Sequence, residues 1–242
     1  ADPENMVIFD SHGGLHKDRE DIKADTRFYR KWELCEKTNP KKINSMAEAC
    51  KGADVLIALS KPGPDVVKPE WIRSMGTKPI VFACANPVPE IYPYAAKEAG
   101  AYIVATGRGD FPNQVNNSLG FPGILKGALL VRARKITDEM AVTAAYSMAN
   151  YAEKKGINPD YIMPKMDETD MFAYEAADVA MEAIKNGVAR INLTWDQVFK
   201  QTMDDITQTR ATIDMMMKNN FIQHPDVTML EEALQKAVQA VK

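Results

Sequence analysis

The sequence PIVFACANPVPEI, residues 79–91, joins a continuous apolar run to a polar loop that contains two prolines, Pro87 and Pro89. Similar apolar runs, DVLIAL and AYIVA, stand at residues 54–59 and 101–105. Apolar runs without polar alternation are typical of strands that are buried on both faces of a parallel sheet. The stretches between these runs have helical character, and alternating strands and helices indicate an α/β fold.

The chain begins with another apolar run, residues 6–9, which ends at Asp10 and has the pattern of a buried parallel strand. A strand that ends in an acidic residue is usually the second strand of a dinucleotide-binding fold, after a Gly-rich turn and a first helix. Only five residues precede Met6, and GxGxxG does not occur in the sequence. We therefore predict a doubly wound, Rossmann-like parallel sheet whose first βα unit is missing from this chain, followed by C-terminal helices.

Helix signals divide the chain into two halves. In the first half, Ser45-x-x-Glu48 has the spacing of a capping box, and Pro69 and Pro93 can each occupy a first helical turn. The second half is predicted to be helical over residues 121–133, 137–154, 170–186 and 195–217 and again from Leu230. We predict a partial dinucleotide-binding domain at 1–135, helices that complete it at 136–192, and a helical extension at 193–242.

Composition excludes several classes of protein. Apolar residues make up 45% of the chain and charged residues 26%, with a net charge of -3, so the sequence lacks the basic stripe expected of a nucleic-acid-binding protein. No apolar run approaches the roughly 20 residues of a membrane helix. The first residues do not resemble a secretion signal. We expect a cytoplasmic protein whose cysteines are buried thiols, with neither nucleic acid nor membrane as a partner.

Polar residues follow each predicted strand, at the end where parallel strands line a ligand crevice. Asp10 can accept hydrogen bonds from the ribose hydroxyls of an adenosine, and Arg19 lies close enough in sequence to pair with it. The structural alternative is that Asp10 caps the glycines at 13–14. Because His12, His16 and Lys17 could meet a 2′-phosphate, these residues do not separate NAD from NADP.

Three further candidates follow the later strands. Ser60, in the sequence SKPG, contacts a cofactor or belongs to a simple turn. Asn86 offers a donor and an acceptor together, which suits a nicotinamide carboxamide or a substrate carboxylate. Asn116 and Asn117 end the next loop, and we expect Asn86 to lie within a side chain's reach of them. The alternative is that these asparagines are turn formers.

At this point the residues resemble a known family. ANPVPEI at 85–91 and ATGRGDFPNQVNNSLGFPGILKGAL at 105–129 are similar to the signature of the short, bacterial-type malic enzymes. FDSHGGL at 9–15 and GADVLIALSKPG at 52–63 resemble further blocks of that family, and the resemblance covers about residues 6–190. It implies oxidative decarboxylation of L-malate to pyruvate and CO₂ with NAD or NADP and with Mg²⁺ or Mn²⁺.

The resemblance also implies roles for individual residues. Asp10, with Arg19, would lie at the adenosine side and Ser60 in the cofactor loop. Asn86 would lie at the nicotinamide and the substrate, while Asn116 and Asn117 would hold malate or the carboxamide.

The chain departs from the family in what it lacks. The family's catalytic Tyr and Lys, its substrate Arg and its three acidic metal ligands all lie upstream of the Gly-rich loop, and none has a matching position here. We expect no catalytic residue and no metal ligand in this chain, which would be inactive alone. The expected partners are the missing N-terminal half of the enzyme and a second copy in a homodimer.

Two alternatives stay open from the sequence. One is the cofactor domain of another two-domain dehydrogenase, such as an amino-acid dehydrogenase. The other is a non-catalytic dimerisation or interaction module that uses the Met-rich helix at residues 195–217.

Overall fold

A computed structural model of the chain describes residues 2–223 and 226–241, without the side chain of Val241. The described residues form two compact units. Unit 1 comprises those of residues 1–119 and 149–165, and unit 2 comprises those of 120–148 and 166–242. The domain boundaries expected from the sequence, at 135/136 and 192/193, stay a prediction.

Unit 1 is built on a parallel sheet. Its strands are β3 (Val55–Ala58), β4 (Ile80–Ala83) and β5 (Ile103–Thr106), in that order, and Val55 pairs with Ile80, which pairs with Ile103. The three apolar runs of the sequence therefore form three neighbouring strands, and the predicted α/β fold class is confirmed. β3 lies at one edge of this sheet, where Ile57 is 61% exposed.

Short helices connect these strands and cover the sheet: α3 (Met46–Cys50), α4 (Pro69–Arg73) and α5 (Pro93–Glu98). Pro69 and Pro93 stand in the first turns of α4 and α5, as predicted, because proline has no N–H to lose there. The prediction of a capping box at Ser45 is wrong. Ser45 is the N-cap of α3, but its side chain makes no capping hydrogen bond. The core of this sheet includes Ile72, Val81, Ile91 and Val104.

The start of unit 1 differs from the prediction. Instead of a parallel strand over residues 6–9, β1 (Phe9–Asp10) forms an antiparallel hairpin with β2 (Gly13–Gly14). Leu15 and Ile22 are buried beneath this hairpin, together with Cys35. The helices here are α1 (Glu20–Lys23) and α2 (Tyr29–Lys37), with 3₁₀ turns at Pro3–Asn5 and Thr26–Phe28. A parallel strand needs a parallel neighbour, and among the described residues β1 pairs only with β2.

Five longer helices complete the described chain: α6 (Asn117–Leu130), α7 (Asp138–Lys155), α8 (Asp170–Lys185), α9 (Trp195–Lys218) and α10 (Val227–Val241). Thr194 begins α9 with a capping box that Gln197 completes. In unit 2, the Trp195 indole donates to Asp178 of α8 at 2.7 Å, and Val198 is fully buried. The first turns of α9 therefore belong to the core of unit 2, whereas Leu234 of α10 is 66% exposed.

In the part of the chain that the structure describes, no helix combines the length and apolar character that crossing a membrane requires.

Candidate functional site

Three loops of unit 1 leave the carboxyl ends of β3, β4 and β5. Ser60 follows β3 and is exposed, as is Asn86, which follows β4. Gly107 follows β5 and is buried. The carboxyl edge of a parallel sheet is where ligands bind in open α/β folds, so these loops define the candidate site.

Two asparagines of this site meet at one atom. The Asn86 side chain donates to the carbonyl oxygen of Gly107 at 3.4 Å, and Asn116 donates to the same oxygen at 2.6 Å. The convergence of Asn86 and Asn116 expected from the sequence is therefore present. Their roles toward a ligand remain a prediction.

The close approach of these loops depends on glycine. A Cβ atom at Gly107 would lie 2.7 Å from the Cys84 carbonyl oxygen and 2.8 Å from the Asn86 amide nitrogen. Cβ atoms do not approach backbone oxygens so closely, so any side chain at this position would push the loops after β4 and β5 apart. The role of Gly107 was not predicted from the sequence. A glycine directly after a buried strand was the available signal.

Asn116 also has a structural role. Its side-chain oxygen accepts from the backbone N–H of Ser118 at 2.9 Å, which caps the start of α6. The turn-former interpretation and the ligand interpretation thus apply to the same amide, whose oxygen serves the helix and whose nitrogen serves Gly107. Asn117, the first residue of α6, is exposed.

The loop after β5 is held by a buried asparagine that the sequence analysis did not single out. Asn113 donates to the carbonyl oxygens of Val104 at 3.0 Å and Pro159 at 2.8 Å, and it accepts from the N–H of Ile162 at 2.8 Å. Its φ of 55° is left-handed, which asparagine tolerates better than most residues. This amide fixes the path of the chain toward Asn116.

Arg108 joins the loops after β4 and β5 from the outside. Its guanidinium donates to the Pro87 carbonyl oxygen at 2.8 Å and holds the Asp110 carboxylate through two hydrogen bonds of 2.7 and 2.6 Å. It also lies 5.5 Å from the centre of the Phe111 ring. Sequence reasoning missed this role because the residues 108–110 have no pattern that indicates a link to Pro87.

A buried carboxylate links the loops after β3 and β4. Glu90 is fully buried and accepts from the Ser60 N–H at 2.7 Å, the Ser60 hydroxyl at 3.1 Å and the Ala85 N–H at 2.9 Å. Sequence reasoning also missed Glu90, although it lies inside the ANPVPEI stretch.

The N-terminal hairpin carries a cluster of charges around Asp10. Arg19 donates to both oxygens of Asp10 at 3.1 Å, and the Lys31 amine lies 2.5 Å from one of them. The His12 N–H donates to the other oxygen at 2.8 Å. Burial raises the pKa of Asp10, but the hydrogen bonds from Arg19 and Lys31 outweigh it and hold the pKa well below its usual value.

One part of the expectation for Asp10, its pairing with Arg19, can be compared with the structure. The pairing with Arg19 is present, and Lys31 is an additional partner that the sequence did not reveal. Each carboxylate oxygen already accepts two hydrogen bonds, which is its full capacity. A ribose hydroxyl that binds here must therefore replace a donor or contact the cations instead.

The three cysteines differ in burial. Cys35 and Cys50 are buried as expected, whereas Cys84 is half-buried, so the expectation of buried cysteines is wrong for Cys84. Its thiol follows β4 at the open edge of the sheet, and burial still raises its pKa. Among the described residues, no group of three or more His, Cys, Asp or Glu is placed to hold a metal ion.

Comparison with known proteins identifies the family. The domain family described as "Malic enzyme, NAD binding domain" matches residues 2–186. The chain belongs to the malic enzyme family. The match includes the three parallel strands and all the loops of the candidate site, so the crevice at the edge of the sheet lies within the NAD-binding domain of that family.

Relatives within the malic enzyme family are similar over much of this chain. A crystal structure of Entamoeba histolytica malic enzyme is 65% identical, covering 100% of this chain and 50% of that one with a TM-score of 0.98. A malic enzyme structure from Pyrococcus horikoshii is 44% identical over 90% of this chain and 51% of that one, with a TM-score of 0.79. The bifunctional malic/malolactic enzyme of Bacillus subtilis is 40% identical over 82% of this chain.

The chain spans about half the length of these malic enzymes: 50% and 51% of the two solved structures and 47% of the Bacillus subtilis protein. Similar enzymes include both an NAD-dependent malic enzyme of Geobacillus stearothermophilus and an NADP-dependent malic enzyme of Halomonas elongata. The comparison therefore supports NAD(P) binding for the family without choosing between the two cofactors.

Proposed function

We propose that this chain is the cofactor-binding part of an enzyme that oxidises and decarboxylates L-malate to pyruvate and CO₂, with reduction of NAD or NADP. The observation that carries the proposal is the meeting of Asn86 and Asn116 at the Gly107 carbonyl, at the carboxyl edge of the parallel sheet. This edge is where the fold class binds dinucleotides.

The residues of the crevice fit an NAD(P) molecule. Ser60 and Asn86 are exposed polar groups on neighbouring loops, and Asn117 is exposed beside Asn116. The cations of Arg19 and Lys31 suit the ribose hydroxyls of the adenosine in NAD or the anionic 2′-phosphate in NADP. When bound, NAD(P) supplies the acceptor for the hydride that leaves C2 of malate.

In this proposal, the side chains of this chain bind and orient NAD(P) and malate. Asn86 contacts the nicotinamide carboxamide and the substrate, and Asn117, supported by Asn116, contacts a malate carboxylate or the carboxamide. A side-chain amide suits both ligands because it donates and accepts at once. No proton transfer is assigned to these residues, since an amide does not titrate near neutral pH.

Among the described residues, no group of three or more His, Cys, Asp or Glu is placed to hold the Mg²⁺ or Mn²⁺ that the family resemblance implies. We propose that the metal ligands and the catalytic Tyr and Lys come from the N-terminal half of the enzyme. The edge strand supports this partner. β3 presents Val55 at 47% exposure, Ile57 at 61% and, just beyond it, Leu59 at 79%. A neighbouring strand would pair with that edge and cover these side chains.

The test is an activity assay of a full-length protein in which this chain is joined to an N-terminal malic enzyme half. We expect malate-dependent reduction of NAD⁺ or NADP⁺ that requires Mn²⁺ or Mg²⁺ and releases pyruvate and CO₂ in equal amounts. The chain of residues 1–242 alone should show no turnover. Reduction with an amino acid but not with malate would instead support another two-domain dehydrogenase.

A second candidate function rests on a different observation. α10 exposes Val227, Leu230 and Leu234 at 67%, 53% and 66%, so its apolar face is open. This face favours an interaction or dimerisation role for the tail, with a second copy as the proposed partner. Removal of residues 219–242 tests it. Loss of assembly in gel filtration with NAD(P) binding retained would support a separate assembly role.

A further inference from the structure

Glu90 is a buried acidic residue of the candidate site, and its carboxylate accepts three hydrogen bonds. It is fully buried between the loops after β3 and β4, so it does not reach a ligand in the crevice. Three donors converge on its carboxylate, and all three come from those loops. One oxygen receives both donors of Ser60, and the other receives the N–H of Ala85, next to Asn86.

We propose that Glu90 is a positioning residue that ties Ser60 to the Asn86 loop and leaves Ser60 as an acceptor toward the cofactor. This inference rests on the proposed function only for the identity of the ligand. The Glu90 carboxylate accepts from backbone N–H groups of both loops, and this side-chain link fixes the spacing between them.

The polarity of Ser60 follows from these bonds. Its N–H and its hydroxyl proton both point to Glu90, so the group that Ser60 offers to the crevice is the lone pair of its hydroxyl oxygen. A phosphate oxygen carries no proton to donate, whereas a ribose hydroxyl or a carboxamide NH₂ does. Ser60 is therefore suited to the nicotinamide-ribose part of NAD(P) and not to its pyrophosphate.

The position of Glu90 in the chain supports the same conclusion. Its backbone carbonyl accepts from the N–H of Val67 at 3.0 Å, so its backbone also holds the segment that leads into α4. Both the backbone and the side chain of Glu90 thus anchor the connection that follows β3. Breaking the side-chain bonds alone leaves the backbone anchor in place, which makes a conservative substitution informative.

The experiment compares Glu90→Gln with the wild type in the full-length enzyme, with Glu98→Gln, an exposed position in α5, as the matched control. Gln has one acceptor oxygen and an NH₂ group, so it satisfies one loop and opposes the donor of the other. We expect the KM for NAD(P) to rise about tenfold, equivalent to about 1.4 kcal/mol, with a smaller change in kcat. Glu98→Gln should change neither.

A double-mutant cycle with Ser60→Ala tests the polarity. In the wild type, Ser60→Ala should raise the KM for NAD(P), while in Glu90→Gln it should add less than twofold. Full additivity of the two effects would overturn the proposal. Glu90→Asp, whose carboxylate is too short to reach both loops, gives the same comparison if Glu90→Gln does not fold.

Hydrogen exchange separates this inference from the proposed function. In Glu90→Gln the amide of Ser60 or of Ala85 should exchange at least about tenfold faster, with the Val81 amide of β4 unchanged. This readout needs no activity, so a wild type that fails to bind NAD(P) would refute the proposed function and still test Glu90. Unchanged exchange at both amides, or equal acceleration of Val81, would refute the positioning role.

Discussion

Asn86 and Asn116 donate to the same carbonyl oxygen, that of Gly107, at 3.4 and 2.6 Å. The two residues belong to loops that follow different strands, and β4 and β5 pair in parallel register, so the loops leave the sheet side by side. Gly107 is the point at which they meet.

Gly107→Ala should disrupt the site with little effect on the rest of the fold. The added Cβ would lie under 3 Å from the Cys84 carbonyl and the Asn86 amide, so the Asn86 loop must move. We expect NAD(P) binding, measured by fluorescence titration of the full-length enzyme, to weaken at least about tenfold.

Gly109→Ala is the matched control for this change. It lies in the same loop, but its Cβ would meet only the flexible end of Gln114, at 3.2 Å. Binding within twofold of the wild type is expected. Equal losses in the two variants would show that the loop after β5 tolerates no side chain and that the contact with Asn86 is not the cause.

Asn116→Asp separates the two roles of that amide. The carboxylate can still cap α6 through the Ser118 N–H, but it can no longer donate to Gly107. The free energy of unfolding, measured by thermal denaturation, should change by less than about 1 kcal/mol. The kcat/KM for malate should fall about tenfold or more.

Asn116→Ala removes both the cap and the donor, so it should lose about 1 kcal/mol of stability as well as activity. If Asn116→Asp keeps wild-type activity, the hydrogen bond to Gly107 has no functional role and Asn116 is a helix cap alone.

Arg19→Gln tests the charged cluster of the hairpin. The substitution removes two hydrogen bonds to Asp10, two to Asp21 and one to the Gly14 carbonyl, leaving Lys31 as the cation on Asp10. The pKa of Asp10 should rise toward its usual value, and NAD(P) affinity should fall about tenfold, since a charged hydrogen bond contributes about 1.5–3 kcal/mol.

Lys23→Gln, which removes an exposed cation of α1, is the comparison for Arg19→Gln. Isothermal titration with NAD⁺ and NADP⁺ should show affinities unchanged within twofold for Lys23→Gln. A similar loss in both variants would mean that general positive charge, and not the Asp10 cluster, is responsible.

Glu175 makes the stability of unit 2 dependent on pH. Its carboxylate is fully buried, and neither oxygen has a hydrogen-bond partner in the described structure. Burial raises its pKa from 4.5 to about 8. A Cβ at Gly123 would lie 2.1 Å from this carboxylate, so glycine is required where α6 meets α8.

The sign of the effect follows from the raised pKa. Below pH 4.5 the group is protonated in the folded and unfolded chain, and its contribution to stability is complete. As the pH rises toward 8 the unfolded chain loses the proton first, so stability falls by up to about 1.4 kcal/mol per pH unit.

Glu175→Gln should abolish this loss, so the variant gains stability relative to the wild type from pH 5 to pH 8 in urea denaturation. The exposed Glu231→Gln should follow the wild type at each pH. A constant difference between Glu175→Gln and the wild type across this range would contradict the prediction.

Two apolar side chains of the C-terminal helices, Val198 in α9 and Leu234 in α10, differ in burial. Val198 is fully buried against unit 2, and we expect Val198→Ala to cost about 2 kcal/mol in chemical denaturation. Leu234→Ala in α10, where the side chain is 66% exposed, should change stability by less than about 0.5 kcal/mol. A larger cost at Leu234 would show that α10 packs on a partner in solution.

The sequence predicted those parts of the fold that depend on local pattern. Apolar runs identified β3, β4 and β5, since apolar runs without polar alternation are typical of parallel strands. The prolines at 69 and 93 marked the first turns of α4 and α5 for an equally local reason. The parallel strand expected over residues 6–9 was wrong because strand pairing depends on the neighbours that are present.

For the candidate site, too, the sequence predicted one part and the tertiary structure decided the other. The positions of Ser60, Asn86 and Asn116 after strands placed them at one edge of the sheet, because side chains that follow parallel strands converge there. Which atoms they engage was decided by contacts between distant segments. Examples are the link from Glu90 to Ser60, the shared Gly107 carbonyl and the approach of Lys31 to Asp10.

Local pattern in this protein therefore determined which segments are strands or helices and which loops follow the carboxyl ends of the parallel strands, because periodicity and chain stereochemistry act over a few residues. The tertiary structure alone decided which donors are free. Glu90 takes up the N–H groups of Ser60 and Ala85, and Arg19 and Lys31 fill acceptor positions of Asp10. The bonds from Ser60 and Lys31 depend on distances in space that residue spacing does not encode.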